Sequence, residues 1–453
     1  MSERADVVVV GMGPGGEDLA GKLAERGLDV IGIDHGLVGG ECPYWGCIPS
    51  KMMIRAANLL AEARRIPGMA GTSSVTPDWS IVAQRIREEA TDDWNDQVAV
   101  DRFEKKGGRF MRGTARFEGP GKISVDGTVV EAPKIAINAG TVPSIPPIPG
   151  LSPVHYWTNR HAIETKDLPA TLTILGGGPI GLELGQMFGR FGAKVTVVES
   201  GERILGPEEP ESSTLLTEVF EREGIVVRTG AAAERVSMEG EDIALMLNDG
   251  STVKGERLLV AVGRRAPIKE LNGSAIGISE DARFLPVDEH GRVTDGVWAL
   301  GDITGKGNFT HMSMYEANVV LHDILGDQNV IAEYHAVPRV TFTDPEIGSV
   351  GMSEKGARDA GIHVRIGSYP IPRSTRGWIH KAGNEGYIKL IEDRARGILV
   401  GATSAGPTGG EVLSMLTLAV HERIPVERLR SMIFAYPTFH RAIEAALDDL
   451  LSH

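Results

Sequence analysis

One stretch of this chain occurs twice, and no other feature of the sequence limits the fold as much. The first copy reads DVVVVGMGPGG from Asp6 and the second TLTILGGGPIG from Thr171; in each, a short apolar strand runs into Gly-x-Gly-x-x-Gly and then a helix-like stretch. The glycines are Gly11, Gly13 and Gly16 in the first copy and Gly176, Gly178 and Gly181 in the second. Each helical stretch stops at a glycine, Gly27 or Gly192, and a second strand closes on an acid, Asp34 in VIGID or Glu199 in VTVVE. All five positions keep one offset of 165 residues. The first glycine of such a turn permits a tight strand-to-helix bend, the second lets backbone N–H groups reach a pyrophosphate, and the third lets helix and strand pack closely. The acid is placed to accept hydrogen bonds from ribose hydroxyls, which makes it hostile to a 2′-phosphate. A single glycine turn is weak evidence. Two complete copies at matched spacing predict an α/β chain with two Rossmann-like domains that bind two dinucleotides.

The rest of the chain fits around those copies. At 453 residues it is about three times the ~150 of a typical domain. Its 42% hydrophobic and 24% charged residues exclude a disordered or fibrous protein. Lys51 to Arg65 and Ser80 to Lys106 read as helical, and Gly113 to Asn138 as short antiparallel strands. The Pro-rich SIPPIPG, Ser144 to Gly150, reads as a linker. Arg257 to Val262 is a further apolar strand, and VWALGD ends a strand on Asp302 before a helix-like run from Met314. From Tyr334 strands, turns and helices without a glycine fingerprint predict a separate α+β domain. The expected divisions are residues 1–150, 151–269, 270–333 and 334–453.

A formal net charge of −14 offers no basic face, so nucleic acid and membrane are not expected as partners. Met1 to Arg4 carries mixed charge and leads into the first strand without a signal-like apolar run, so a cytoplasmic location is expected. Only two cysteines occur, Cys42 and Cys47, in GGECPYWGCIPSK shortly after Asp34. A closed zinc site needs four ligands, and no other Cys or His lies in the neighbouring turns, so no metal site is expected. A structural disulfide across so short a loop would stabilise little. Redox chemistry beside a dinucleotide is the better reading of the pair.

At this point GGECPYWGCIPSK resembles the active-disulfide motif of the flavin-dependent pyridine nucleotide-disulfide oxidoreductases, a family that includes dihydrolipoyl dehydrogenase, glutathione reductase and mercuric reductase. NAGTVPSIPPIPG, VAVGRRAP, ALGDITG and VTFTDPEIGSVG are also similar to family segments and occur in family order. The resemblance implies FAD on Gly11, Gly13, Gly16, Gly40, Lys51 and Gly140, with Asp34 on the adenosine ribose and Asp302 on the ribityl chain. It implies NAD(P)H on Gly176, Gly178, Gly181, Glu199 and Gly263. Residues 1–150 and 270–333 would then form the FAD domain, 151–269 the NAD(P) domain, and 334–453 a dimerisation domain that completes an active site shared across the subunits of a homodimer. Hydride would pass from nicotinamide to flavin and then to the disulfide, with Cys47 nearer the flavin and Cys42 attacking a small-molecule disulfide or other oxidant. Lys51 and Glu183 match the ion pair beside the flavin ring. Glu199 favours NADH over NADPH; Arg203 reads equally as a phosphate partner or a surface charge.

The pattern breaks near the end. Where disulfide-reducing relatives carry a His-Pro-Thr-x-x-Glu motif, this chain reads AYPTFHRAIEAAL, with Tyr436 in place of the His and Arg441 in place of the Glu. A phenol with a pKa of about 10 is a poor base at neutral pH. His440 and Glu444, four residues apart, would share a helical face and re-create an imidazole–carboxylate pair, or else form a surface ion pair. No cysteine remains for a C-terminal metal relay of the mercuric reductase kind. The alternative is therefore a diaphorase, or a quinone or metal-ion reductase, that uses the flavin without the usual dyad.

Overall fold

Val7–Val10 is the central strand of a six-stranded sheet in the order Arg292–Thr294, Val297–Ala299, Lys134–Ile137, Val7–Val10, Val30–Asp34, Arg109–Arg112. Every pairing is parallel except that of the Arg292–Thr294 edge. The four valines read as one apolar run because both faces of the strand are covered, and alternate residues serve alternate cores. Val7 and Val9 pack with Leu19 and Leu23 of the helix Pro14–Ala24, and with Phe103 and Leu321. Val8 and Val10 pack with Phe117, Ile123 and Val130, which lie in a four-stranded sheet ordered Ser2–Arg4, Thr128–Glu131, Lys122–Val125, Ala115–Gly119. The strand order reverses at Val7–Val10, so its carboxyl end opens into the crevice where such sheets bind ligands. This is a computed structural model, and it describes residues 2–452. The sheet belongs to a unit built from residues up to Ser50, Gln84–Ser144 and Gly263–Tyr334.

The second unit comprises Lys51–Ala83, Ile145–Val262 and the chain from His335 on. Its parallel sheet runs Val226–Arg228, Lys194–Val198, Thr171–Leu175, Arg257–Val260. Leu175, Val198, Leu258 and Val260 are covered by Val236, Ile243, Leu245 and Val253 of the antiparallel strands Ala233–Glu239, Asp242–Leu247 and Thr252–Gly255. The C-terminal region is a five-stranded antiparallel sheet, ordered Pro338–Thr341, Glu346–Gly351, Ile398–Gly406, Tyr387–Asp393, Val364–Pro370. The helices Gly409–His421 and Arg441–Leu451 bury Leu413, Leu416, Ile443 and Leu447 in its core. Two Rossmann-like sheets and a C-terminal α+β domain are the architecture that the repeat and the change of pattern after Tyr334 predict.

The structure differs from the expected elements and boundaries in four places. Lys134–Ile137, at the end of the stretch expected as antiparallel strands, pairs parallel with Val7–Val10 and Val297–Ala299, because it is a core strand of the six-stranded sheet. Residues 51–83 group with the second unit because Lys51, Asn58 and Arg65 bond to Glu183, Arg190 and Asp344. The first unit resumes at Gly263 rather than 270, since Arg264–Arg265 pairs with Val142–Pro143. Ser80 to Lys106 is not one helix but Trp79–Arg85, a π-helical turn Ile86–Ala90 and Gln97–Lys105. The Thr91 hydroxyl donates to the Ile86 and Arg87 carbonyls and ends the first part, and Asp92, Asp93 and Trp94 then turn with positive φ.

Candidate active site

Each glycine turn is built by the same backbone bonds. Gly11 N–H donates to Ile33 O and Gly176 N–H to Val198 O, both at 2.8 Å. These first glycines have φ of +91° and +113°, and a Cβ would lie 2.3 Å from Asn138 O or 2.4 Å from Ala261 O. The third glycines, Gly16 and Gly181, would drive a Cβ to 2.0 and 2.4 Å from the carbonyl oxygens of Gly11 and Gly176. The second glycines, Gly13 and Gly178, precede the first turns of the helices Pro14–Ala24 and Pro179–Phe191, whose free N–H groups supply positive potential. Asp34 accepts from Met12 N–H at 2.7 Å and Gly36 N–H at 2.7 Å. Glu199 accepts from Gly177 N–H at 2.7 Å and Gly201 N–H at 2.6 Å. Both turns therefore have the close backbone and donor set that a pyrophosphate requires, so these residues fit the dinucleotides the sequence implies.

Around the first turn, Gly40 caps the short helix Glu41–Tyr44, and its Cβ position lies 2.9 Å from Gly13 Cα. Asp302 sits in the turn Gly301–Thr304 after the strand Val297–Ala299 and accepts from the Thr141 hydroxyl at 3.1 Å. Thr141, next to Gly140, also takes Arg264 Nε on its hydroxyl at 2.7 Å, beside Gly263. Burial raises the Asp302 carboxyl above the usual range, opposed by the Arg264 charge. A buried acid with spare acceptor capacity suits a polyol such as a ribityl chain.

Cys42 lies in Glu41–Tyr44, and Cys47 opens the helix Cys47–Arg65. The Cys42 thiol is pushed well up by its hydrogen bond to Cys47, then by burial and by the charge on Cys47; a hydrogen bond to Thr310 works the other way. Cys47 Sγ lies 3.4 Å from Thr310 Oγ1. Thr310 begins the 15-residue helix Thr310–Ile324, so the pair has a hydroxyl and a helix N-terminus beside it, both of which stabilise a thiolate. In the second unit, Lys51 Nζ pairs with Glu183 Oε2 at 2.8 Å.

The C-terminal residues behave differently from expectation. Tyr436 is 65% exposed, and the Arg441 guanidinium lies 5.3 Å from its ring centroid. His440 and Glu444 do not pair: the helix starts at Arg441, and Arg441 takes Glu444 at 3.2 Å across one turn. The imidazole–carboxylate pair expected there is therefore absent from this chain's own contacts, because a cation one residue nearer claims the acid.

Sequence reasoning missed four residues that organise these sites. Asn138 and Phe342 lay within family-like segments as unremarked letters, Glu316 within the run from Met314 read only as helical, and Thr310 ahead of that run with no reading attached. Glu316 accepts from Gly301 N–H at 2.6 Å and from the Tyr334 hydroxyl at 3.0 Å, and burial pushes its carboxyl up to about 7. Among the described residues, no helix is long and apolar enough to cross a membrane.

Residues 5–317 match the family described as pyridine nucleotide-disulphide oxidoreductase, and residues 337–447 match the dimerisation domain of the same family. The chain is 30% identical over 449 residues to a mercuric reductase of Bacillus cereus, covering 98% of this chain and 71% of the relative. It is 31% identical over 461 residues to a dihydrolipoyl dehydrogenase of Thermus scotoductus, covering 98% and 97%. Among solved structures, the Cu(II) complex of the HOCl-induced flavoprotein disulfide reductase RclA from Escherichia coli superposes with a TM-score of 0.87 at 26% identity, covering 99% of both chains.

Proposed function

Since this chain belongs to the pyridine nucleotide-disulphide oxidoreductase family and is an FAD-dependent NAD(P)H-disulfide oxidoreductase, we propose that it takes electrons from NADH and delivers them through Cys42 and Cys47 to a disulfide or other thiol-reactive acceptor. The observation that carries this reading is the hydrogen-bonded thiol pair beside the Thr310 hydroxyl at the start of a long helix.

FAD, held on Gly11, Gly13, Gly16, Gly40 and Gly140 with Asp34 and Asp302, would accept hydride from nicotinamide and pass the electron pair to the cysteines. The residues of the chain then handle thiols and protons. The reduced pair carries two electrons; Cys42, as thiolate, attacks a sulfur of the acceptor and releases one thiol of it, and Cys47 displaces the second as the Cys42–Cys47 bond re-forms. The neighbouring Cys47 and burial oppose the Cys42 thiolate. Thr310 offsets that penalty by donating to the attacking sulfur. Tyr436, exposed and next to Arg441, would serve the acceptor across the subunits of a homodimer, as a hydrogen-bond donor rather than as a base. The match to the family's dimerisation domain supports that assembly.

The preference for NADH rests on two side chains. Glu199 presents a carboxylate where a 2′-phosphate would sit. Arg203 is spent on its own loop, donating to the carbonyls of Leu205, Gly206 and Glu208 and to the Ser213 hydroxyl, and so is withdrawn from phosphate recognition.

Tyr436 in place of the usual His, and the pairing of Glu444 with Arg441 instead of His440, favour a second reading, in which quinones or metal ions take electrons without the thiols. Relatives named mercuric reductase are consistent with it. Anaerobic enzyme reduced with NADH and offered lipoamide, glutathione disulfide, mercuric ion and quinone separates the two. Cys42→Ser and Cys47→Ser should abolish turnover of disulfides while sparing quinone reduction; full rates with every acceptor in both variants would sink the dithiol mechanism.

A further inference from the structure

Two helices each carry a polar stripe at helical spacing within the second unit, Lys51, Asn58 and Arg65 on Cys47–Arg65 and Glu183, Gln186 and Arg190 on Pro179–Phe191. Both stripes close on Phe342 to Asp344, the segment that leaves the C-terminal strand Pro338–Thr341. Asp344 Oδ2 accepts from Arg65 at 2.7 Å and from Arg190 at 2.8 Å. Gln186 accepts from the Asp344 N–H at 2.7 Å and donates to the Asp344 carbonyl at 2.8 Å. Arg190, only 3% exposed, also reaches Asn58 Oδ1 at 2.6 Å and Glu223. Buried charged bonds of this number leave the segment a single position.

That position puts Phe342 on both members of one ion pair. Its N–H donates to Glu183 Oε1 at 2.8 Å, while Glu183 Oε2 takes Lys51 Nζ at 2.8 Å. Its ring centroid lies 4.6 Å from the same Nζ. Glu183 therefore has each oxygen assigned, and the ammonium is held between a carboxylate and an aromatic face. Lys51 keeps a third of its side-chain surface exposed, so without the ring its flexible stem has room to swing the charge towards water. We propose that Phe342 is a positioning residue through which the C-terminal domain fixes the Lys51 ammonium and so sets the ease of reduction of the bound cofactor. This rests on the reading of Lys51 as the cation beside the flavin ring, where it would stabilise negative charge that develops on reduction.

The test uses the holoenzyme and two readouts, the midpoint potential of bound FAD and the stopped-flow rate of its reduction by NADH, in Phe342→Leu, Phe342→Tyr and Lys51→Met. Phe342→Leu keeps apolar volume and the backbone N–H; it should lower the potential and slow reduction about fivefold, the size of a partly exposed cation–π contact. Phe342→Tyr should restore both. Lys51→Met should shift the potential further in the same direction, and adding Phe342→Leu to it should change nothing more. An unchanged potential in Lys51→Met overturns the placement of Lys51 and this inference with it. A shift in Lys51→Met with none in Phe342→Leu, or a Phe342→Leu effect undiminished without Lys51, overturns the positioning role alone.

Discussion

The two glycine turns share their bonds but not their surroundings. In both, the first glycine hangs from the neighbouring strand and the acid 23 residues on accepts from two backbone N–H groups at positions offset by the same 165 residues. In both, the next parallel strand donates back to the end of the first, from Asn138 N–H to Val10 O and from Ala261 N–H to Leu175 O. There the likeness stops. Asn138 uses its side chain as a rivet: Oδ1 accepts from Gly16 N–H at 2.8 Å, and Nδ2 donates to Leu300 O at 2.9 Å and to the Ser313 hydroxyl at 3.1 Å. One amide thus ties the turn to the segment that carries Asp302 and to the helix that starts at Thr310. Ala261 has nothing to tie with, and a Cβ on Gly178 would meet no atom within 4 Å. The first turn is stitched on several sides and the second left open, which suits a cofactor that stays and a nucleotide that comes and goes.

The comparison is most exposed at the first glycines. Gly11→Ala forces a Cβ into Asn138 O at positive φ, a clash that should cost several kcal/mol, and the protein should purify without flavin. Gly176→Ala has an equal clash but should retain flavin and lose at least tenfold in kcat/KM for NADH. Equal flavin absorbance per chain in the two variants would erase the distinction between resident and exchanging sites. Next in size is Asn138→Ala, which strands a buried N–H and carbonyl and should destabilise by about 2–4 kcal/mol in chemical unfolding, with faster flavin loss on dilution. Ala261→Asn should give the second turn no comparable gain.

Glu316 tests the stitching from its far side. Its carboxyl is raised to about 7 by burial, so the folded protein holds a proton that the unfolded chain, with the usual 4.5, releases. That stability is complete below about pH 4.5 and is lost as pH rises through 7, to a total of about 3 kcal/mol. Glu316→Gln keeps an acceptor for Gly301 N–H and should flatten the decline in thermal midpoint between pH 5 and 8. An identical decline in the variant would remove Glu316 as its source. The smallest effect belongs to the second turn: Glu199→Ser should raise the NADPH-to-NADH ratio of steady-state kcat/KM about tenfold, or ~1.4 kcal/mol, if the proposed role of Glu199 holds.

Much of the fold was legible because its signals are local. A strand covered on both faces is an apolar run, as at Val7–Val10, and a turn that passes backbone past backbone excludes any side chain, as at Gly11 and Gly16. The same reasoning failed between Ser80 and Lys106, where composition favours helix but the Thr91 hydroxyl ends it with a side-chain bond that no periodicity announces. At Glu444 it left an imidazole–carboxylate pair and a surface ion pair open, and the structure gives the acid to Arg441, three residues before it.

What the sequence determined by itself was the duplicated nucleotide architecture, the order of the domains and the presence of one cysteine pair near the first turn, all set by residues within a few turns of each other. Tertiary structure alone decided which groups complete those sites, because each arrives from far along the chain. Thr310 reaches Cys47 across 263 residues, Asn138 reaches Gly16 across 122, and Phe342 reaches Glu183 across 159. The charge state of Glu316 was decided there too, since burial by groups far along the chain is what raises its carboxyl.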